Sequence, residues 1–446
     1  MIVFLLLVHL VLLLTTQFIL WPEMVVYPYL MNNGFVLYRD IINPYTPLFN
    51  YFLAFFAKIF GYEAFPYQVL TWLIILATDI LIFKITKKAA TLAFFVFVSI
   101  PFGINGLWYD LVQAPFLLGA VYYFSNFLKG TRSDLVKAVA LLSVSFFIKQ
   151  QTIWLALWFL IAFIYTFKKQ SLRIFAQNKQ LLLIPTAFLL AFISVFYFQT
   201  NLKEFFYLAF YFPFIKASQM PGYILLPTLR QAAVVGFLLL VYVSFFKRSS
   251  QKNFFLISGS VLMIFAYPRF DYFHLAPSLS VLAVVFGQNI ETIKKLNFGR
   301  KLLLTAALLA LAFNFFRYIA KYSAKEVRFF EADIKNSASL LKSTAPEEEA
   351  IYIQNGPDQL LPLSGLLPTK PWAIQFPWYL EIETVQERVL SGIKTQNPKI
   401  IVSKPYDVGP KYEIGVYRPQ KLADYIDNNY ENFVQISDTL WLKVRK

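Results

Sequence analysis

Apolar residues in the first 316 positions of this 446-residue chain follow neither the helical nor the strand rhythm of a water-soluble domain; they run in long, nearly unbroken blocks. A helix needs roughly 20 apolar residues to cross a hydrocarbon core. By that measure the blocks predict eleven spans, near 1–20, 66–86, 89–104, 111–128, 134–148, 151–167, 181–199, 229–246, 253–267, 275–290 and 301–319. Beyond residue 319 the pattern becomes amphipathic. It predicts a helix over 320–342, a strand over 350–354, a helix over 383–395, a strand over 399–403, a helix over 420–429 and strands over 433–436 and 440–444, which together make a small α/β unit. The expected fold class is a polytopic α-helical membrane protein of about 11 transmembrane helices, residues 1–319, followed by a C-terminal α/β domain, residues 320–446.

Two stretches interrupt the spans. Residues 47–61 are apolar but too short to cross and follow Pro44 and Pro47, so they predict a helix lying at the interface within a structured first outer loop, 21–65. Residues 201–230 carry Pro213, Pro221, Gly222 and Pro227 among many aromatics and predict a second interfacial segment.

Composition supports the membrane reading: 58% of the residues are hydrophobic and 15% charged, with a mean hydropathy of +0.55. The net charge of +16 is concentrated in residues 1–316, which hold 24 Lys/Arg against 9 Asp/Glu. Nucleic acid is one partner for such a basic chain, but an excess confined to the loops between spans is better explained by orientation. With the N-terminus cytoplasmic, seventeen of these basic residues fall in cytoplasmic loops and seven outside, which predicts an N-in, C-out plasma-membrane protein with the first loop and the tail extracytoplasmic. The first 20 residues lack a basic leader and a small-residue cleavage site, so they read as an uncleaved span. Absence of cysteine excludes disulfides and thiolate chemistry. No P-loop, dinucleotide fingerprint, nucleophile elbow or zinc-protease motif occurs.

Most acids of the membrane half fall at its predicted outer side. Asp40 sits in the run from Asn33 to Pro47, where Gly34, Pro44 and Pro47 constrain the backbone and Arg39 precedes the carboxylate; a simple Arg39–Asp40 pair is the plain alternative to a functional role. Asp110 begins a span after Asn105-Gly106-Leu107-Trp108-Tyr109, Lys149 lies in the turn Phe147-Ile148-Lys149-Gln150-Gln151, and Asp271 and His274 close the loop that starts at Tyr267. Asp79 and His9 lie within spans, where packing and hydrogen bonding between helices explain them. Trp108, Tyr109 and Trp378 are aromatic faces on which a sugar can stack, although interfacial belts account for most of the aromatic density.

The pattern Gly34-x3-Tyr38-Arg39-Asp40-Ile41-x2-Pro44-x2-Pro47-Leu48-x2-Tyr51, followed by a short apolar helix ending at Phe60-Gly61, resembles the first outer loop of GT-C type glycosyltransferases. These membrane enzymes, among them protein O-mannosyltransferases and the lipid A aminoarabinose transferase, take sugars from polyprenyl-phosphate carriers. The resemblance implies that Asp40 is the catalytic carboxylate, with Asp110, Asp271 and His274 as auxiliary or acceptor-side groups. Ile41 stands where the mannosyltransferases carry a second acid, so a two-carboxylate metal site in this loop is not implied.

Inverting transfer from a lipid phosphate needs a base for the acceptor hydroxyl and cations for the departing phosphate. Asp40 suits the first role, and Arg39, Lys149, Arg269 and Arg230 suit the second, each against the alternative of snorkelling to the headgroup level. No cofactor is assigned, and a divalent cation is left open. The expected activity is transfer from a polyprenyl-phosphate-linked sugar to a lipid, glycan or protein acceptor; a transporter or flippase for lipid-linked glycans is the alternative.

Overall fold

The computed structural model describes residues 1–220, 223–243, 250–345, 350–406 and 419–446. Pro221 and Gly222 of the second interruption, Lys247 and Arg248 of the charge count and the end of the span expected over 229–246 lie outside them. The chain is mostly helical and separates into two compact units, one of residues 1–18, 68–191 and 226–325, the other of residues 19–67, 192–225 and 326–446. The first predicted loop and most of the second interruption thus belong to the same unit as the tail, a grouping that the division at residue 319 did not contain.

Among the described residues six helices are long and apolar enough to cross a membrane: Ala64–Thr86, Tyr109–Leu128, Gln150–Gln177, Lys179–Phe198, Tyr272–Lys295 and Phe298–Tyr322. Shorter apolar helices, including Ile2–Thr15, Ala89–Phe102, Leu229–Val243 and Asn253–Ala266, occupy other stretches expected to span. In the first unit Tyr109–Leu128 and Ala276–Asn289 are central, packing on each other and on Ala89–Ser99, Asp134–Ile148 and Ser250–Leu262. Close approach is built in at Gly287, where an added Cβ would lie 1.9 Å from Thr91 Oγ1. Phe94 stacks on Phe286 and Phe124 on Phe159, with centroids 4.1 and 4.2 Å apart. His9 and Asp79, both fully buried within spans, pair with each other at 2.7 Å.

The single helix expected over 320–342 is instead two. Phe298–Tyr322 ends where Ser323 bridges Thr16 and Ala324, at a φ of 52°, donates its N–H to Thr15 O; a second helix runs over Ala332–Thr344. Hydrogen bonds to the end of the first helix replace those that would have continued the ladder.

In the second unit, Leu48–Phe60 is the short helix expected after Pro47, and it stops at Gly61, whose φ of 79° favours glycine. The tail forms a four-stranded sheet from β1 (Tyr352–Gln354), β2 (Ile400–Ser403), β3 (Tyr430–Ser437) and β4 (Leu440–Arg445), in the order β1-β2-β4-β3. β1 and β2 are parallel and the other two pairings antiparallel. Its core includes Ile353, Val402, Leu440 and Leu442 together with Val389 and Ile393 of the helix Val385–Gln396.

Candidate active site

The backbone around Asp40 folds back on itself. Asp40 N–H donates to Val36 O at 2.8 Å, and Val36 N–H donates to Asp40 Oδ2 at 2.9 Å, so main chain and carboxylate close the same turn. Tyr38, at its apex, has a φ of 70°, a left-handed conformation rare for a bulky side chain. Its surroundings enforce it: Tyr38 N–H donates to Ile41 O, its hydroxyl donates to Tyr45 O at 2.7 Å, and its buried ring packs on Phe196 and Phe205. Strain of this kind persists only where contacts over-determine it. The next residues are stitched to the tail, with Trp372 N–H donating to Asp40 O at 2.7 Å and Ile42 N–H to Trp372 O at 3.0 Å.

Cations surround the carboxylate. Arg39 donates from Nε to Oδ1 at 3.0 Å and from Nη2 to Oδ2 at 3.1 Å, a fork that matches the planar carboxylate. Lys370 Nζ lies 3.9 Å from Oδ2, donates to Gly34 O and sits 4.2 Å above the Phe35 ring. Lys370 is itself held through its main chain: its N–H donates to Gln396 Oε1 at 3.0 Å, Gln396 Nε2 donates to its carbonyl at 2.6 Å, and Gly392 leaves room for that carbonyl. Arg388 donates from Nη2 to Arg39 O. Burial alone would raise the pKa of Asp40, but the hydrogen bonds from Arg39 and the Val36 amide, with the charges of Arg39 and Lys370, outweigh it and hold the carboxyl below its usual range. Asp40 is therefore an ionised acceptor, 8% exposed, at any neutral pH.

A second cluster forms in the other unit. Asp110 lies in the first turn of the helix Tyr109–Leu128, Lys149 leaves the helix Asp134–Ile148 in extended conformation, and His274 lies within the turn Tyr272–Leu275. Lys149 Nζ donates to Asp110 Oδ2 at 2.7 Å, and His274 Nδ1–H donates to the same oxygen at 2.8 Å. Asp110 is fully buried, its first-turn position benefits from the helix dipole, and its Oδ1 has no hydrogen-bond partner among the described residues. Gln113, one turn on, fixes the Lys149 turn by donating to Lys149 O and Ser145 O.

Three residues 110, 149 and 274 that the sequence singled out separately thus converge. Asp271 caps the turn that carries His274: its Oδ1 accepts the Tyr272 N–H at 2.8 Å and its carbonyl accepts the His274 N–H. Arg269 lies in the loop before that turn, and Arg230 is exposed at the start of Leu229–Val243. Sequence reading missed Lys370, Arg388 and Gln113. The first two lie more than 300 positions from Asp40, with no local signal; Gln113 is recognisable only once it is seen to share a helix face with Asp110, three residues away. Among the described residues no three His, Asp or Glu side chains gather as metal ligands would. The cations beside Asp40 and Asp110 are the protein's own.

No protein-family model matches the chain, and no curated protein matches it. Solved structures do. ArnT from Cupriavidus metallidurans bound to undecaprenyl phosphate shares its fold over 99% of this chain and 97% of that one, at a TM-score of 0.61 and 12% identity. The same protein in the apo state matches at 0.60 and 11% over the same extents. At these identities the likeness is one of fold: the chain has the fold of these two structures over nearly its whole length.

Proposed function

We propose that the protein is an inverting glycosyltransferase that moves a sugar from a polyprenyl-phosphate donor to an acceptor hydroxyl at the extracytoplasmic face of the plasma membrane. The observation that carries this reading is Asp40: an ionised carboxylate in an enforced turn, on a fold shared with a protein solved with undecaprenyl phosphate bound. The acceptor O–H gives its proton to the Asp40 carboxylate while the acceptor oxygen bonds to the anomeric carbon. The bond from that carbon to the phosphate oxygen breaks, and polyprenyl phosphate leaves with the electron pair. An ionised Asp40 is in the protonation state this step needs, though its depressed pKa makes it a modest base. Arg39 and Lys370 keep it ionised, and Arg39, half exposed, is also free to turn toward the departing phosphate.

Lys149 has a different role in this reading. Its ammonium, 5% exposed, is held on Asp110, so it positions that carboxylate and His274 rather than binding phosphate directly. Arg269 and the exposed Arg230 keep their proposed part as partners of the lipid phosphate, and Asp110, Asp271 and His274 theirs as auxiliary groups. The charge count of the loops supports placing the first loop and the tail outside the cytoplasm.

The test is reconstitution in liposomes with polyprenyl-phosphate sugars labelled in the sugar. The reading expects label to appear on an acceptor, with stoichiometric release of polyprenyl phosphate. Movement of intact donor across the bilayer without sugar transfer would identify a flippase instead.

A further inference from the structure

The tail sheet ends in a cleft that no step above uses. β1 and β2 run parallel, and their carboxyl ends, Gln354 and Ser403, open onto a cavity of about 420 Å³, within the range of small-molecule sites. Open α/β sheets place ligands at this end of their parallel strands. The register explains the lining. Gln354, Ser403 and Trp441 stand side by side across β1, β2 and β4, and two residues further along the same face of β4 Lys443 pairs with Asn432 of β3. Leu440 and Leu442, the alternate residues of β4, are buried on the opposite face, while Trp441 and Lys443 stay partly exposed toward the cavity.

The chemistry of the lining selects a ligand class. Trp441 and Tyr406 offer aromatic surface, and Gln354, Ser403 and Asn432 offer amide and hydroxyl groups that both donate and accept. The main charge is internally balanced, since Lys443 Nζ donates to Asp427 Oδ1 at 3.0 Å. Lys404 adds one more cation, leaving a net +1, too little to single out a phosphate group. Gln354 is fixed by a 2.7 Å hydrogen bond from Ser403 Oγ to its Oε1, and both are buried, so this edge of the cleft is built before any ligand arrives. An aromatic plane beside uncharged bifunctional hydrogen-bonding groups matches a pyranose, which has an apolar C–H face and a rim of hydroxyls.

We infer that this cleft is a saccharide-binding site that takes a neutral sugar unit. Its assignment to the acceptor glycan rests on the glycosyltransferase reading above; the binding itself does not. The full-length protein in nanodiscs is titrated with cellobiose, maltose and N,N′-diacetylchitobiose, followed by saturation-transfer NMR, with inorganic phosphate as the anionic comparison. At least one disaccharide is expected to bind with millimolar or better affinity. Trp441→Ala is expected to weaken it at least tenfold, and Trp441→Phe and Asn432→Ala to weaken it several-fold with an unchanged melting temperature. Asp40→Asn is expected to leave it unchanged. Failure of all three sugars to bind, binding that survives both Trp441→Phe and Asn432→Ala, or saturable binding of phosphate alone would overturn the assignment. Saccharide binding in a protein that transfers no sugar would sink the enzymatic reading and leave the site standing. Transfer without saccharide binding at the cleft would do the reverse.

Discussion

The Asp110–Lys149–His274 cluster gives a stability prediction that can be worked from its geometry. Lys149 and His274 share a single oxygen of a carboxylate that is fully buried, at 2.7 and 2.8 Å. Removing one partner of a buried ion pair costs about 3–5 kcal/mol, mostly because the other charge stays behind without compensation. Lys149→Met leaves Asp110 with His274 and falls at the lower end, about 3 kcal/mol; Asp110→Asn leaves two donors without their anion and falls higher. At roughly 2 °C per kcal/mol for a large domain, each single variant should melt on the order of 5–10 °C lower. The double variant Asp110→Asn/Lys149→Met carries no stranded charge at the pair and should lose clearly less than the sum of the singles. Melting curves of the four proteins in one detergent close the cycle. Additive losses would show that the two side chains do not depend on each other and would refute the pairing.

Glu23 is buried with its pKa pushed up to about 8 by desolvation, partly offset by a backbone hydrogen bond, with Asp358 nearby. The folded state thus binds the proton more tightly than the unfolded chain, so its contribution falls as pH rises from the ordinary 4.5 through 8, by about 1.4 kcal/mol per unit. Glu23→Gln should therefore gain melting temperature over wild type increasingly between pH 5 and 8; a gain that is flat with pH contradicts the burial argument. Gly392→Ala would place a Cβ 2.2 Å from the Lys370 carbonyl, costing about 1–3 kcal/mol and displacing Lys370, so sugar transfer should fall several-fold. A fully active, equally stable Gly392→Ala protein removes Lys370 from the account. If Asp40 is the base, the acid limb of activity lies below pH 3.8 in wild type and moves upward in Lys370→Met, which loses one of the charges that depress it; a pH–rate profile unmoved by that change contradicts its electrostatic role.

How far the sequence carried the structure depends on distance along the chain. The helix Leu48–Phe60 was legible because Pro47, an apolar run and Gly61 lie within one stretch, and the strands of the tail because their apolar residues cluster locally. The break at residues 323–331 was not, since what ends Phe298–Tyr322 is a bridge to Thr16 at the other end of the chain. Asp40 announced itself through Gly34, Arg39 and two prolines, whereas Lys370 reaches it through a fold that no local pattern encodes. Asp110, Lys149 and His274 each stood at the end of a predicted span, but only packing shows that their ends meet. Asp271, equally prominent in the sequence, also caps the turn that carries His274, a role visible only once the Tyr272 N–H is in place.

The most direct test of the central claim is single-turnover transfer of labelled sugar from a polyprenyl-phosphate donor, comparing wild type with Asp40→Asn in the same membranes. Asn keeps the shape and the Val36 contact but cannot take a proton, so transfer should fall by a factor of about 10²–10⁴ while folding and donor binding persist. Transfer at the wild-type rate in the Asp40→Asn protein would contradict the account.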